Sequence, residues 1–319
     1  MKISEVERRK QYRKIFENLW ETPRIYLKDL GVRIDTDKRT AGKRLKEASK
    51  KQIIVGPDLA RRSYDNLKEY VSFVKCEEPE LLYLKFCEDP RVIYHAVTMG
   101  FCDLWLITKK KIDIEGDIVL GGYRSDYYTS FPPDYSWETT MEIASKETLT
   151  FDHREYIKKD YIKTHLGETV PWDVTYGTLY RDLRDNLRKP VTPIMKEHNI
   201  SGERFYKFLE DLPRTCTIAT HFYPDTLSAY DPYLFMFETE YEDFIIDLFS
   251  KLPTSTTFFN VSNKLLMLAY VPKHMTRGTD IQQSVRKLFI PLTVSNLVNR
   301  KIVGSVARAI VEFSWSKDI

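Results

Sequence analysis

One order of local patterns runs through this chain twice. Each run opens with three helix-like segments around a tight turn, then passes into short β-branched and aromatic strands interleaved with helical stretches. The period is about 165 residues, too long for a solenoid and right for a duplicated multi-domain unit. Identity between the halves is low, so the reading rests on element order. It predicts an α+β chain: a winged helix-turn-helix at 1–62, a ferredoxin-like βαββαβ domain at 63–151, a linker at 152–172, a second winged helix-turn-helix at 173–225 and a second ferredoxin-like domain at 226–319.

In the first head, Tyr12, Ile15, Phe16 and Leu19 recur at spacings of three and four, one apolar stripe of a helix. Pro23 punctuates the chain, and a short helix with Leu27 and Leu30 is expected to end at Gly31. Asp35 and Asp37 are candidate N-caps for a third helix that runs to about Lys51. Its core side carries Ala41, Leu45 and Ala48. A strand-like Ile53-Ile54-Val55 follows, closed by Gly56-Pro57.

Charge singles out that third helix. Residues 1–62 hold 18 Lys+Arg against 9 Asp+Glu, a net +9, which leaves −6 for the rest of a chain whose total is +3. At 100° per residue, Arg39, Lys43, Lys46 and Lys50 fall opposite the core stripe. Like charges at such spacings repel, so a merely solvated helix would usually mix signs. A uniformly basic face suits a DNA groove. Lys38 and Thr40 in the first turn, Arg44 at the edge of the stripe, and Lys51, Arg61 and Arg62 after the helix complete the expected DNA-contacting set. For Arg44 a salt bridge to a neighbour is the competing role.

The run Ala41-Gly42-Lys43-Arg44-Leu45-Lys46-Glu47-Ala48, followed by Ile53-Ile54, resembles the recognition helix and next strand of the Lrp/AsnC family of transcriptional regulators. Ala48 stands where that family has Leu, and Gln52 where it has Gly. The turn into the strand is therefore expected to differ, or to avoid a positive φ. A second stretch, Val92 to Leu104, resembles the family's helix-Gly-x-x-Asp-strand segment. The resemblance implies DNA binding, oligomerisation through the ferredoxin-like domains and a small-molecule effector, with Gly100 and Asp103 as effector residues. A helix C-cap and a strand-edge turn are their structural alternatives. The resemblance covers 8–130; beyond that it is one of architecture.

In the body, Glu69–Lys75 reads as a strand, Glu80–Met99 as a helix stopped by Gly100, with an interruption at Pro90 left open, Cys102–Ile107 as a strand, and Asp117–Leu120 as the start of a third strand whose extension through Tyr128 is left open; Trp137–Lys146 reads as a helix and Thr148–Phe151 as a fourth strand. The second run reads Gly177–Leu187, Ile194-Met195 and Glu203–Leu212 as helices. Strands follow at Thr215–Ala219, Tyr233–Phe237, Thr256–Val261, Lys264–Val271 and Ala307–Trp315, with helices at Tyr241–Leu252 and Thr279–Phe289. The second head lacks the first one's charge: residues 171–223 carry 8 Lys+Arg and 7 Asp+Glu, and the outward face of its third helix reads Glu203, Lys207, Glu210, Asp211. Carboxylates facing phosphates cost affinity, so this head is expected to serve structure or protein contacts.

Sequence signals for chemistry are sparse. No phosphate-binding glycine loop, dinucleotide fingerprint or nucleophile elbow occurs. The histidines His95, His153, His165, His198, His221 and His274 are scattered, and Cys76, Cys87, Cys102 and Cys216 form no zinc spacing. No apolar run approaches the roughly 18–20 residues of a membrane span, and the N-terminus lacks a signal-peptide stretch. The expectation is a cytoplasmic, non-enzymatic, sequence-specific regulator that binds double-stranded DNA as a homo-oligomer, with no metal, cofactor or membrane contact. The alternatives are a tetrapyrrole-handling enzyme resembling the sirohaem decarboxylases, which are tandem Lrp-like proteins, or an interaction protein whose DNA binding is vestigial.

Overall fold

The computed structural model describes residues 4–273 and 281–316. It divides into two compact units, Met1–Arg61 with Val170–Ser228 and Arg62–Thr169 with Ala229–Ile319.

In the first unit, α1 (Glu5–Glu21) starts at Ser4, whose hydroxyl accepts from the Glu7 N–H, and buries Tyr12, Ile15, Phe16 and Leu19, the predicted stripe. α2 (Leu27–Arg33) runs past Gly31 instead of ending there. That glycine is needed for space: a Cβ would stand 2.9 Å from the Thr36 carbonyl oxygen. The left-handed turn residue is Asp35, at φ 56°. Asp37 is the N-cap of α3 (Lys38–Lys50), accepting from the N–H groups of Arg39 and Thr40 at 2.8 and 3.0 Å. Gln52 does take a positive φ, 53°, so the chain makes the left-handed turn without the glycine that would make it cheap.

β1 (Ile54–Arg61) continues through Gly56-Pro57, where the strand was expected to close. The second head repeats the plan with α6 (Val174–Leu183), α7 (Val191–Glu197), α8 (Gly202–Thr215) and β7 (Cys216–Phe222). Asn199 at φ 52° and the N-cap Ser201 stand where the first head has Asp35 and Asp37. Neither head builds its own wing hairpin. β1 and β7 pair antiparallel with each other, Ile54 opposite Phe222 and Arg61 opposite Cys216. The strands exchange anchors: Phe222 lies in the core of the first head, stacked on Phe16 at 5.0 Å, and Leu59 in the core of the second.

The second unit contains β2 (Tyr70–Lys75), α4 (Pro79–Cys87), β3 (Val92–Gly100), β4 (Leu104–Thr108), β5 (Asp117–Tyr123), β6 (Tyr128–Thr129) and α5 (Trp137–Thr150). It continues with β8 (Tyr230–Glu238), α9 (Glu242–Phe249), β9 (Thr257–Val261), β10 (Lys264–Pro272), α10 (Ile281–Asn299) and β11 (Ser305–Ser316). One sheet runs β5-β2-β4-β3-β11-β8-β10-β9-β6. It contains the ferredoxin-like strand order twice, as β5-β2-β4-β3 and as β11-β8-β10-β9. Segment 117–129 pairs with β2 at its start, then bridges from Arg124 to Val261 and pairs with β9 through β6. The sheet thereby closes on itself. Trp105 and Phe259 stack 6.0 Å apart in a core with Phe73, Leu234, Leu266 and Ala309 on one face. On the other face, Leu82 and Phe86 of α4 cover Val74, Leu104 and Leu106.

Two expectations for the first body are corrected. The helix expected over 80–99 is a nine-residue α4 followed by β3, and Thr148–Phe151 is no strand, because α5 runs to Thr150. The first half thus passes directly from its third strand to its fourth, and α5 follows afterwards, packing on α9 and α10. The second half has the expected βαββαβ order; Thr279 lies outside the described residues. Among the described residues no helix is long and apolar enough to cross a membrane.

Candidate nucleic-acid interface

α3 buries Ala41 and Ala48 and half-buries Leu45, which turns the opposite side to solvent. Arg39, Lys43, Lys46 and Lys50 are all exposed. They occupy an arc of about 60° and extend about 16 Å along the axis, the dimensions of one groove-facing stripe. Lys38 is exposed beside them. Among the described residues, none of these five has a carboxylate within 4.0 Å.

The other expected contacts are committed elsewhere. The Thr40 hydroxyl bonds to Asp37 at 2.7 Å and serves the cap. Arg44, with 13% of its side chain exposed, donates to Glu47 at 3.0 Å and to Gln11 at 3.0 Å, the salt-bridge role. Lys51 is exposed but lies 3.7 Å from Glu47. Arg61 packs over the Tyr180 ring at 5.4 Å. Arg62 reaches the buried Asp126 at 2.6 Å. Sequence reasoning passed over Glu47, which gathers Arg8, Arg44 and Lys51 behind the helix. Its spacing of three and four from Arg44 and Lys51 was the available signal.

On α8, Glu203, Lys207 and Glu210 are exposed as expected, but Asp211 turns inward and accepts from the Tyr176 hydroxyl at 2.8 Å. Lys207 lies 3.7 Å from Glu210 and 3.5 Å from Asp211, and Arg214 lies 3.5 Å from Asp211. Arg204 pairs with Asp173.

The two effector candidates have different roles in the fold. Gly100 ends a strand, not a helix; at φ 149° it lets β11 approach so closely that a Cβ would stand 2.1 Å from the Arg308 carbonyl oxygen. Asp103 holds Lys75 at 2.7 Å and the Cys76 N–H at 3.1 Å. It lines a cleft of about 660 Å³ together with Lys75, Glu78, Lys85 and Asp117; Gly100 is not part of that lining.

His95 is buried between α4 and the sheet, 3.6 Å from the Cys87 sulfur and against the Tyr83 ring, and burial lowers its pKa. His165, His198 and His221 each pair with an aspartate, His153 packs on Phe151 and Tyr241, and His274 lies outside the described residues. Among the described residues no three His, Cys, Asp or Glu side chains are grouped to hold a metal ion.

No family model matches the chain, and no curated protein matches it. Two solved structures are similar to it. The crystal structure of the siroheme decarboxylase NirDL is 12% identical with a TM-score of 0.46. The same protein in co-complex with an iron-uroporphyrin III analogue is 14% identical with a TM-score of 0.45. Each alignment covers 96% of this chain and 92% of the other.

Proposed function

We propose that the chain is a sequence-specific DNA-binding regulator that reads duplex DNA with α3. The observation that carries this reading is the stripe of Arg39, Lys43, Lys46 and Lys50, exposed together and free of carboxylate partners among the described residues. A surface that concentrates unneutralised cations on one helix face gains free energy when it displaces counterions from a polyanion. Arg39 and Lys43 lie in the N-terminal half of the helix, which usually meets base edges; an arginine there can bond a guanine with two donors. Lys46 and Lys50 lie farther along and meet phosphates, fixing register without reading sequence. Nothing in this role calls for a catalytic step. The cleft beside Asp103 is the pocket we propose for a small molecule that regulates binding.

The test is selection of bound duplexes from a random-sequence pool by the full-length protein. One enriched motif is expected, and Arg39→Ala should blur it. A bound pool no different from the input overturns sequence-specific recognition and leaves the interaction-protein reading. The rival tetrapyrrole reading would give this chain the kind of substrate named for NirDL. A histidine meant to hold an iron macrocycle must face open space, and His95 faces Cys87 and Tyr83 under α4. Titration with an iron porphyrin reads this directly: a saturable shift of its absorption band at one equivalent would favour the rival.

A further inference from the structure

The two heads grip each other reciprocally. Arg24 donates to the carbonyl oxygens of Leu187 and Lys189. Arg188 donates to those of Pro23 at 2.9 Å and Ile25 at 2.8 Å. Each arginine therefore holds the residues on either side of the other. Contacts that repeat with the partners exchanged are the mark of a two-fold interface, the kind normally made between two identical subunits. The crossed anchors Phe222 and Leu59 and the antiparallel β1–β7 pair obey the same relation. So does the closed sheet of the second unit, where β3 meets β11 and β6 meets β9: in both seams the second strand of one half pairs with the fourth-strand segment of the other. The sheet ends on β5 and β6, which are consecutive in the chain. One continuous segment, 117–129, therefore joins the two ends of that sheet.

Chemically the two heads are unlike. Counted from their N-caps Asp37 and Ser201, the positions of Arg39, Lys43, Lys46 and Lys50 in α3 correspond to Glu203, Lys207, Glu210 and Arg214 in α8. Two of these are carboxylates, and the two cations already have carboxylates within 4.0 Å. One half of the pair offers phosphates a positive surface; the other offers a face with no net attraction.

We propose that one chain binds duplex DNA in a 1:1 complex on a single, non-palindromic half-site, read by α3 alone, with the second head as its built-in structural partner. This rests on the DNA-binding reading above and narrows it to a class of site. Two-fold dimers read two half-sites about one helical turn apart because both heads carry a reading helix. Here the symmetry of the scaffold is kept and the symmetry of the reader is lost. The expected site is therefore shorter than one turn and has no inverted copy. The alternative, a homodimer that brings two basic heads together, must use a surface other than the two-fold contacts already filled within the chain.

The experiment uses the motif selected from a random pool, built into one duplex with a single copy and another with an inverted pair one turn apart. Native mass spectrometry counts the full-length chains on each, and anisotropy titration gives the affinities. The expected result is one chain on the single copy, two independent chains on the pair, and equal affinity per copy. A palindromic motif bound by two chains, with the pair held about 100-fold or more tighter as linked heads give, overturns the half-site proposal and leaves DNA binding standing. Absence of binding to any duplex at low salt overturns both. A gain-of-function arm separates the heads: Glu203→Lys with Glu210→Lys should raise affinity for the inverted pair within a single chain and steepen its salt dependence.

Discussion

The hydroxyl of Tyr176 donates to Asp211 at 2.8 Å, tying α6 to α8 across the second head. Tyr12 occupies the same place in the first head and turns toward Glu47, again 35 residues along, although its hydroxyl stops short of hydrogen-bond geometry. The repeat has thus kept a buried phenol facing a carboxylate while exchanging Glu for Asp and losing the surface charge. Burial first, and the carboxylate second, push both phenols up to about 12.

Raised phenol pKa values make the heads sensitive to base. With an ordinary value of 10.0 and a folded value of about 12, each protonated tyrosine contributes stability that is complete below pH 10.0 and lost as pH rises through about 12. Circular dichroism across that range should show helix loss in the first unit. Tyr176→Phe should lower stability near neutrality by about 1–2 kcal/mol, because Asp211 loses a donor, and flatten the alkaline fall. Ordinary titration of both phenols with the helices intact would contradict this.

The reciprocal arginines hold the two heads together through backbone carbonyls. Arg24→Met or Arg188→Met should each cost about 1–2 kcal/mol in urea unfolding, since partly buried carbonyls lose charged donors. The double variant should fall short of the sum, because both changes open one contact. Midpoints unchanged in both single variants would show that the heads do not depend on these bonds.

At the β3–β11 seam, Gly100→Ala drives a Cβ into the Arg308 carbonyl oxygen. The expected loss is about 1–3 kcal/mol or more, with thermal unfolding as the measure. Gly167→Ala is the matched control, at φ 92° with nothing within 4 Å of the added carbon. The two glycines should separate clearly; equal costs would mean that the close approach of β11 is not what Gly100 permits.

Local signals found local structure. The apolar stripe of α1, the Asp37 cap and the two-sided pattern of α3 are all written in spacings of a few residues, and all were legible. β3 was not. Its apolar residues also fit a helical stripe, and what makes it a strand is pairing with β4 and with β11, more than 200 residues away. The same distance problem hid the fate of Arg61 and Arg62, whose partners Tyr180 and Asp126 are remote in sequence. The exchange of β1 and β7 between heads was hidden too, since a strand after a helix-turn-helix ordinarily pairs with its own hairpin.

Within the basic stripe the side chains should differ in kind. Arg39→Ala should cost about 1–3 kcal/mol on the preferred sequence and little on random duplex. Lys50→Ala should weaken both alike and lower the salt slope by about one. Competition titrations with preferred and random duplex measure both quantities. Equal effects of the two substitutions on discrimination would contradict the division of labour along α3.

The claim that α3 is the DNA-binding face is tested most directly by the salt dependence of duplex affinity, compared between the wild type and a variant with Arg39, Lys43, Lys46 and Lys50 all changed to alanine. These side chains face solvent and make no ion pairs among the described residues, so the variant should keep the wild-type circular dichroism and melting profile. The account predicts that it loses nearly all affinity at moderate salt and that its slope of log K against log salt shrinks by about three to four. A folded variant that binds duplex DNA with the wild-type affinity and slope would contradict it.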